Sequence, residues 1–306
     1  MKSGMAKSYG ALFLTCTIWG TTWVVSKIGI GEMPALQMSA IRQFLAGFIF
    51  LIYFLGIRKE KFPSINDLIW SVGMGMLLFV FANGLSTWSL NFIPSGFSAL
   101  IGALYPLCVV IIERIFFKVR MINFLTLFGL LLGLLGIVIV FYENAFHSIN
   151  PHFYWGVGLS LIAMLSWSVG TVFVTRQKVE IGPYHATGWQ MFFSGILLYI
   201  FSLSAHQHIP ISEITLTSWK AIGYLVIFGS IITFIAFIYT IQTLPAAIAS
   251  LYAYINPLVA MLLAALFLNE KLTTHILWGS VVTLIGVYLV NLSIKRAKAV
   301  ASVPEQ

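Results

Sequence analysis

The chain contains the sequence NFIPSGFSALIGALYPLCVVIIERIFF at residues 91–117 and a related one, QTLPAAIASLYAYINPLVAMLLAALFL, at residues 242–268. Pro94 aligns with Pro245, and Pro106 with Pro257, both at a spacing of 151 residues. In each copy the second proline comes 12 residues after the first. Unrelated apolar segments would not keep this interval, so the pattern indicates a duplicated unit.

Other residues extend the duplication beyond these two stretches. Equivalent residues at spacings of 148 to 150 are Trp19 with Trp167, Gly129 with Gly279, and Gly136 with Gly286. The sequence therefore predicts two repeats, residues 1–147 and 148–306, the second ending in a short tail.

The composition places this duplicated unit in a membrane. The chain of 306 residues is 59% hydrophobic and only 8% charged, whereas a soluble domain is about 25% charged. No charged residue occurs between Asp67 and Glu113 or between Lys220 and Glu270, runs of 45 and 49 residues. Since a spanning helix needs about 20 apolar residues, each run holds two spans. The first apolar segment lacks a cleavage site, so we expect no removable signal peptide.

The hydropathy pattern predicts an all-α integral membrane protein with ten transmembrane helices. The apolar runs are too long and too irregular in alternation for barrel strands. The predicted spans are 8–27, 35–56, 68–89, 95–117, 121–142, 153–175, 185–204, 218–241, 246–268 and 273–293.

Five spans per repeat is an odd number, so the second repeat enters the membrane inverted with respect to the first. Basic residues favour one orientation, because cytoplasmic loops are enriched in Lys and Arg. With a cytoplasmic N-terminus that side collects twelve of them: Lys2, Lys7, Arg58, Lys59, Lys61, Lys118, Arg120, Arg176, Lys178, Lys295, Arg296 and Lys298. The opposite side has only Lys27, Lys220 and Lys271. We expect a multi-pass protein of the cytoplasmic (inner) membrane with both termini in the cytoplasm.

Inverted repeats are typical of secondary transporters, whose binding sites lie near the bilayer midplane between the two halves. Pro106 and Pro257 lie about 18 Å along their helices from the preceding proline, at about 1.5 Å per residue. A proline there frees the carbonyl four residues earlier, at Gly102 or Ala253, and interrupts the helix. The neighbouring Tyr105 and Asn256 favour a cavity over a simple packing kink.

Several aromatic and polar residues are candidate substrate ligands. Trp19 and Trp23 share a helix face, and Trp19 and Trp167 lie too deep for the interfacial aromatic belt. Arg42 is a cation inside a span, where charge is costly and usually functional. It could bind a carboxylate, or extend outward and pair with Glu32. Asn83, Gln190 and Tyr252 are expected to hydrogen-bond between helices.

Glu113 is the candidate proton-coupling carboxylate if it faces the central cavity. The alternative is an interfacial pair with Arg114, since Lys118 and Arg120 follow closely.

Other kinds of partner and chemistry find no support in the sequence. The net charge of +8 is spread over short loops and does not indicate nucleic-acid binding. Cys16 and Cys108 show no metal or disulfide spacing, and His206 and His208 lack further ligands. We expect no cofactor, no metal and no catalytic residues. The partners expected are a small-molecule substrate and the lipid bilayer, with the protein as a monomer.

Two other function classes fit the sequence less well. An integral-membrane enzyme acting on lipid or polyprenyl substrates would need clustered carboxylates or histidines. A scaffold or sensor would need a soluble domain.

The stretch LYAYINPLVAMLLAALFLNEKLTTHILWGSVVTLIGVYLV, residues 251–290, resembles the second signature of the EamA-type permeases of the drug/metabolite transporter superfamily. WGTTWVVSKIG, residues 19–29, together with RQFLAG at residues 42–47, resembles the opening of the first copy. The resemblance implies ten helices in two inverted repeats, and export of small metabolites such as amino acids. One departure is Lys118-Val119-Arg120, where the family often has a Gly-Glu-Arg-like turn.

Overall fold

The computed structural model describes residues 2–117, 123–147, 152–176, 180–244, 246–249 and 251–301. In this part of the chain helices are the only regular secondary structure. They form ten segments: α1 Lys2–Gly29, α2 Ala35–Ile57, α3 Ile65–Ser89, α4 Ser95–Phe117, α5 Phe124–His147, α6 Phe153–Arg176, α7 Pro183–Ser204, α8 Leu216–Thr243, α9 Ala246–Ala249 with Tyr252–Leu268, and α10 Thr274–Ala301.

The predicted all-α membrane fold is confirmed. Among the described residues, eight helices are long and apolar enough to cross a bilayer, and two shorter apolar stretches, Phe124–Val140 and Tyr252–Leu268, belong to α5 and α9. Large apolar side chains cover the outside of the bundle, among them Phe116, Phe124 and Leu131, which are 59–82% exposed. Such a surface suits lipid rather than water. Pro245 and the basic residues Lys118, Arg120 and Lys178, used above for the repeat and the orientation, lie outside the described residues.

Local turn chemistry sets where several helices begin. Pro34 and Pro94 directly precede α2 and α4, and Pro183 is the first residue of α7. Proline suits these positions because its fixed φ matches a helix start and its missing N–H has no helical partner there.

Equivalent features recur in the third helix of each predicted repeat. The Ser64 side chain caps α3 by accepting from the Asp67 amide, and Thr215 caps α8 by accepting from Ser218. The two caps are 151 residues apart. Each helix then contains a π-helical stretch, Met76–Gly84 in α3 and Leu225–Ile232 in α8. These recurrences agree with the duplication. The inversion and the boundary at residue 147 stay predictions.

Two pairs of equivalent helices pack most extensively, α2 with α7 and α5 with α10. Glycines allow the close approach of α5 and α10: a Cβ added to Gly129 would lie 2.7 Å from the Gly286 carbonyl oxygen. A Cβ on Gly279 would lie 2.7 Å from the Gly136 carbonyl oxygen. Because lipid offers little hydrophobic drive for helix association, backbone contact through small residues is what stabilises such pairs.

A carboxylate from the second half anchors α4. Glu270 Oε1 accepts hydrogen bonds from the Ser95 amide and hydroxyl, both at 2.8 Å, and Oε2 accepts from the Gly96 amide at 3.2 Å. A carboxylate at a helix N-terminus satisfies free amides and matches the positive end of the helix dipole. Glu270 therefore fixes the start of a helix that reaches the centre of the bundle.

Candidate functional site

A cavity lies in the middle of the bundle. Helices from both halves of the chain line it. Its lining extends from Trp19 and Tyr252 at mid-bundle towards Ser26 and Leu90, near the loops that join α1 to α2 and α3 to α4. The aromatic part of the described lining includes Trp19, Trp23, Tyr105, Trp167, Phe234 and Tyr252.

The structure brings together all six residues expected to contact a substrate: Trp19, Trp23, Arg42, Tyr105, Trp167 and Asn256. They come from five helices and lie up to 237 positions apart in the chain, the interval from 19 to 256. That each of them binds a substrate stays a prediction.

Trp19 is the centre of the aromatic wall. Its ring centroid lies 6.1 Å from that of Trp167, 5.2 Å from Phe234 and 5.4 Å from Tyr252. The indole nitrogen donates to the Gly229 carbonyl oxygen at 3.1 Å. This satisfies the one polar group of a side chain that is only 9% exposed. The ring contacts and this hydrogen bond together fix the position of the Trp19 indole.

Trp23 and Asn256 are joined at the wall of the cavity, where α1 and α9 pack against each other. The Trp23 indole nitrogen donates to Asn256 Oδ1 at 3.1 Å. Because an indole can only donate, this bond turns the Asn256 oxygen towards Trp23 and leaves the amide NH₂ group without a partner among the described residues.

Arg42 is buried, with 4% of its surface exposed, and lines the cavity. Its Nε donates to the Ser230 hydroxyl at 3.0 Å. In the described part of the chain no carboxylate oxygen lies within 4.0 Å of the guanidinium. Glu32 instead accepts a hydrogen bond from Thr215. The alternative that Arg42 extends outward to pair with Glu32 is therefore wrong, because α8 encloses the guanidinium and supplies its neighbour.

The two deep prolines behave differently. In α4 the helix stops at Gly102 and resumes at Tyr105, directly before Pro106, so the expected break is present. In α9 the described helix is interrupted at Leu251, resumes at Tyr252, five residues before Pro257, and continues through that proline. Pro257 and Ala253, whose carbonyl loses its usual partner, both line the cavity, whereas Pro106 does not. A helix tolerates proline where the freed carbonyl is accommodated by its surroundings.

Glu113 does not line the cavity. It lies two turns beyond Pro106 along α4 and is half-buried. Proton coupling through Glu113 stays a prediction, and this arrangement of the helices gives it no contact with the cavity.

Three residues that the sequence did not predict as substrate contacts also line the cavity: Asn83, Tyr252 and Phe234. Asn83 accepts from Gln43 Nε2 at 3.0 Å, as expected of an interhelical hydrogen bond, yet it also lines the cavity. Tyr252, also expected only to bond between helices, stacks on Tyr105 with ring centroids 5.7 Å apart and lines the cavity. Phe234 lines the cavity without having been predicted to do so, although it lies 151 residues after Asn83. This spacing, which matches the predicted repeat, is the sequence signal that could have identified Phe234.

No group of three or more His, Cys, Asp or Glu residues that could hold a metal ion occurs within the described ranges.

Comparison with known proteins gives matches over most of the chain. The model of the EamA-like transporter family matches residues 6–142 and 154–292. The uncharacterized inner membrane transporter YedA of Escherichia coli K12 is 36% identical over 267 residues, covering 87% of this chain and 84% of its own. The uncharacterized transporter YoaV of Bacillus subtilis is 26% identical over 300 residues, covering 96% of this chain and all of its own.

A solved protein crystal structure has the same fold. It superposes with a TM-score of 0.65 at 17% identity, covering 96% of this chain and 99% of that one.

Proposed function

The chain belongs to the EamA-like transporter family, and we propose that it exports small organic metabolites, amino acids or related compounds, by alternating access. The resemblance read from the sequence is thereby confirmed at the level of the family. The finer statements, which concern substrate, direction and mechanism, are the proposal.

The observation that carries the proposal is the cavity between the two halves. Its described lining combines several aromatic side chains with Arg42 and Asn256, the mixture of apolar walls and few polar groups that is typical of small-molecule sites. Aromatic rings can cover an apolar body by stacking, and Arg42 and Asn256 can meet polar groups. A site between the two halves suits alternating access, because each half can then move against the other around it.

The proposed location is the cytoplasmic membrane, since the E. coli relative is named an inner membrane transporter. The excess of Lys and Arg on one side supports cytoplasmic termini. Export follows the direction that the family resemblance implies.

The enzyme alternative has less support. Acid–base or metal chemistry on a lipid would need carboxylates or histidines at one place, and the described lining of the cavity includes no Asp, Glu or His. The names of the relatives also favour transport.

The test is uptake into proteoliposomes that contain the purified protein, with a panel of amino acids, nucleosides and organic acids. We expect at least one compound to enter faster than into protein-free liposomes, and Trp19→Ala to slow its entry at least severalfold. Trp278→Ala is the matched control, because Trp278 lies on α10 with 64% of its surface exposed. If no compound enters faster than the blank, the proposed function is wrong. If Trp19→Ala equals the control for every accepted compound, the cavity assignment is wrong.

A further inference from the structure

Arg42 is the only charged side chain among the described residues that line the cavity. Its Nε is used by Ser230, and the two terminal nitrogens have no carboxylate within 4.0 Å in the described part of the chain. A buried charge without a counter-ion is costly, and a bound anion would offset that cost. The guanidinium fork also matches the two oxygens of a carboxylate.

The neutral polar groups add donors to this site. The oxygen of Asn256 is occupied by Trp23, and that of Asn83 by Gln43. The amide NH₂ groups of both asparagines remain without partners among the described residues, and both residues line the cavity. Donors of this kind complement an acceptor-rich ligand.

The acceptors that remain are uncharged. The hydroxyls of Thr22, Ser86 and Thr87 donate to carbonyls of their own helices, at 2.7, 3.0 and 2.8 Å. Their oxygens keep lone pairs but carry no full charge. A cationic group in the cavity would therefore meet Arg42 as a like charge and find no carboxylate in the described lining to offset it.

Arg42 and Trp19, the centre of the aromatic wall, both lie next to Gly229. Its carbonyl accepts the Trp19 indole N–H at 3.1 Å. A Cβ built on Gly229 would lie 3.2 Å from Arg42 Nη2. A ligand of modest size can thus place an anionic group at Arg42 and a flat apolar body against Trp19.

We propose that the preferred substrate is an organic anion carrying one carboxylate on a flat apolar body, ranked above the corresponding zwitterion and well above the corresponding cation. This rests on the proposed function and narrows its substrate class.

Three compounds that share one indole skeleton separate the charge states: indole-3-propionate is an anion, tryptophan a zwitterion and tryptamine a cation. Binding to the purified protein in nanodiscs is measured by calorimetry. We expect indole-3-propionate to bind about tenfold or more tightly than tryptamine, with tryptophan between them.

Variants then assign the preference to Arg42. Arg42→Gln should weaken indole-3-propionate binding about tenfold or more and leave tryptamine binding unchanged or improved, whereas Arg42→Lys should retain part of the affinity. Arg58→Gln is the control, since it removes the same charge from a side chain that is 60% exposed. Ser230→Ala, which keeps the charge and removes only its hydrogen-bond partner, serves if Arg42→Gln does not fold. It should weaken indole-3-propionate binding severalfold.

The inference is overturned if tryptamine binds as tightly as indole-3-propionate, if none of the three binds, or if the folded Arg42 and Ser230 variants bind like Arg58→Gln. Its failure is distinguishable from failure of the proposed function. Transport of other panel compounds without an anion preference refutes only the charge assignment, whereas transport of no compound refutes the function.

Discussion

Trp19 and Trp167, which occupy equivalent positions 148 residues apart in the sequence, meet edge to face at the cavity with ring centroids 6.1 Å apart and ring planes at 88°. Two copies of one unit facing each other would bring equivalent residues together in this way. This contact agrees with a cavity at the junction of the two predicted repeats.

The inverted topology predicts that equivalent loops lie on opposite sides of the membrane. Lys61, between α2 and α3, and His208, between α7 and α8, are both exposed. With Cys16 and Cys108 replaced by alanine, an impermeant maleimide added to intact cells should label His208→Cys but not Lys61→Cys. Permeabilised cells should label both. Labelling of both sites in intact cells would contradict the inversion.

The close packing of α5 and α10 predicts that adding a side chain at Gly136 destabilises the protein. A Cβ there would collide with Thr283 and with the Gly279 carbonyl oxygen, so Gly136→Ala should lower the free energy of unfolding by about 1–3 kcal/mol. Gly158→Ala in α6 is the matched control, because nothing lies within 4 Å of its added Cβ. That change should be neutral or slightly stabilising. Thermal unfolding of both proteins measures the difference, and equal midpoints would count against the backbone contact.

The hydrogen bond between Trp23 and Asn256 predicts energetic coupling between the two residues. Trp23→Phe and Asn256→Ala should each lower the free energy of unfolding. The loss in the double variant should be smaller than the sum of the two single losses by about 0.6–1 kcal/mol. Unfolding by SDS in mixed micelles gives the four free energies. A parallel cycle of Trp23→Phe with Gln37→Ala should show no coupling, since Gln37 bonds the backbone of Ile209 instead. Strict additivity in both cycles would show that the Trp23–Asn256 bond contributes nothing.

Because Glu270 caps α4, replacing its carboxylate is expected to lower the stability of the protein. Glu270→Ala removes three hydrogen bonds and should lower the free energy of unfolding by about 1 kcal/mol. Glu270→Gln should lower it less, because one oxygen acceptor remains. The control is Glu213→Ala, at an exposed carboxylate in the short 3₁₀ helix Ile211–Glu213. Thermal midpoints of the three variants decide the matter. If Glu270→Ala unfolds at the temperature of Glu213→Ala, the carboxylate does not cap the helix.

Much of the cavity could be anticipated from residue type and depth. Trp19, Trp167, Tyr105 and Asn256 stood out because polar or aromatic groups in the middle of an apolar span need a reason to be there. The break before Pro106 followed from the missing N–H of proline. In α9 the interruption at Leu251 lies further ahead of Pro257, and the helix continues through that proline. The position of the interruption therefore depends on the surroundings of the freed carbonyl as well as on the proline.

The sequence by itself determined that this is a membrane protein of about ten helices and predicted a duplicated unit, because hydropathy, turn residues and repeat spacing can be read along the chain. Only the tertiary structure decided that Arg42 contacts Ser230 and not Glu32, that Glu270 caps α4, and that Asn83, Phe234 and Tyr252 share one cavity. Each of these relations joins segments far apart in the chain. Which faces of the helices meet is set by side-chain packing in three dimensions, and that is not encoded in the pattern of any one helix.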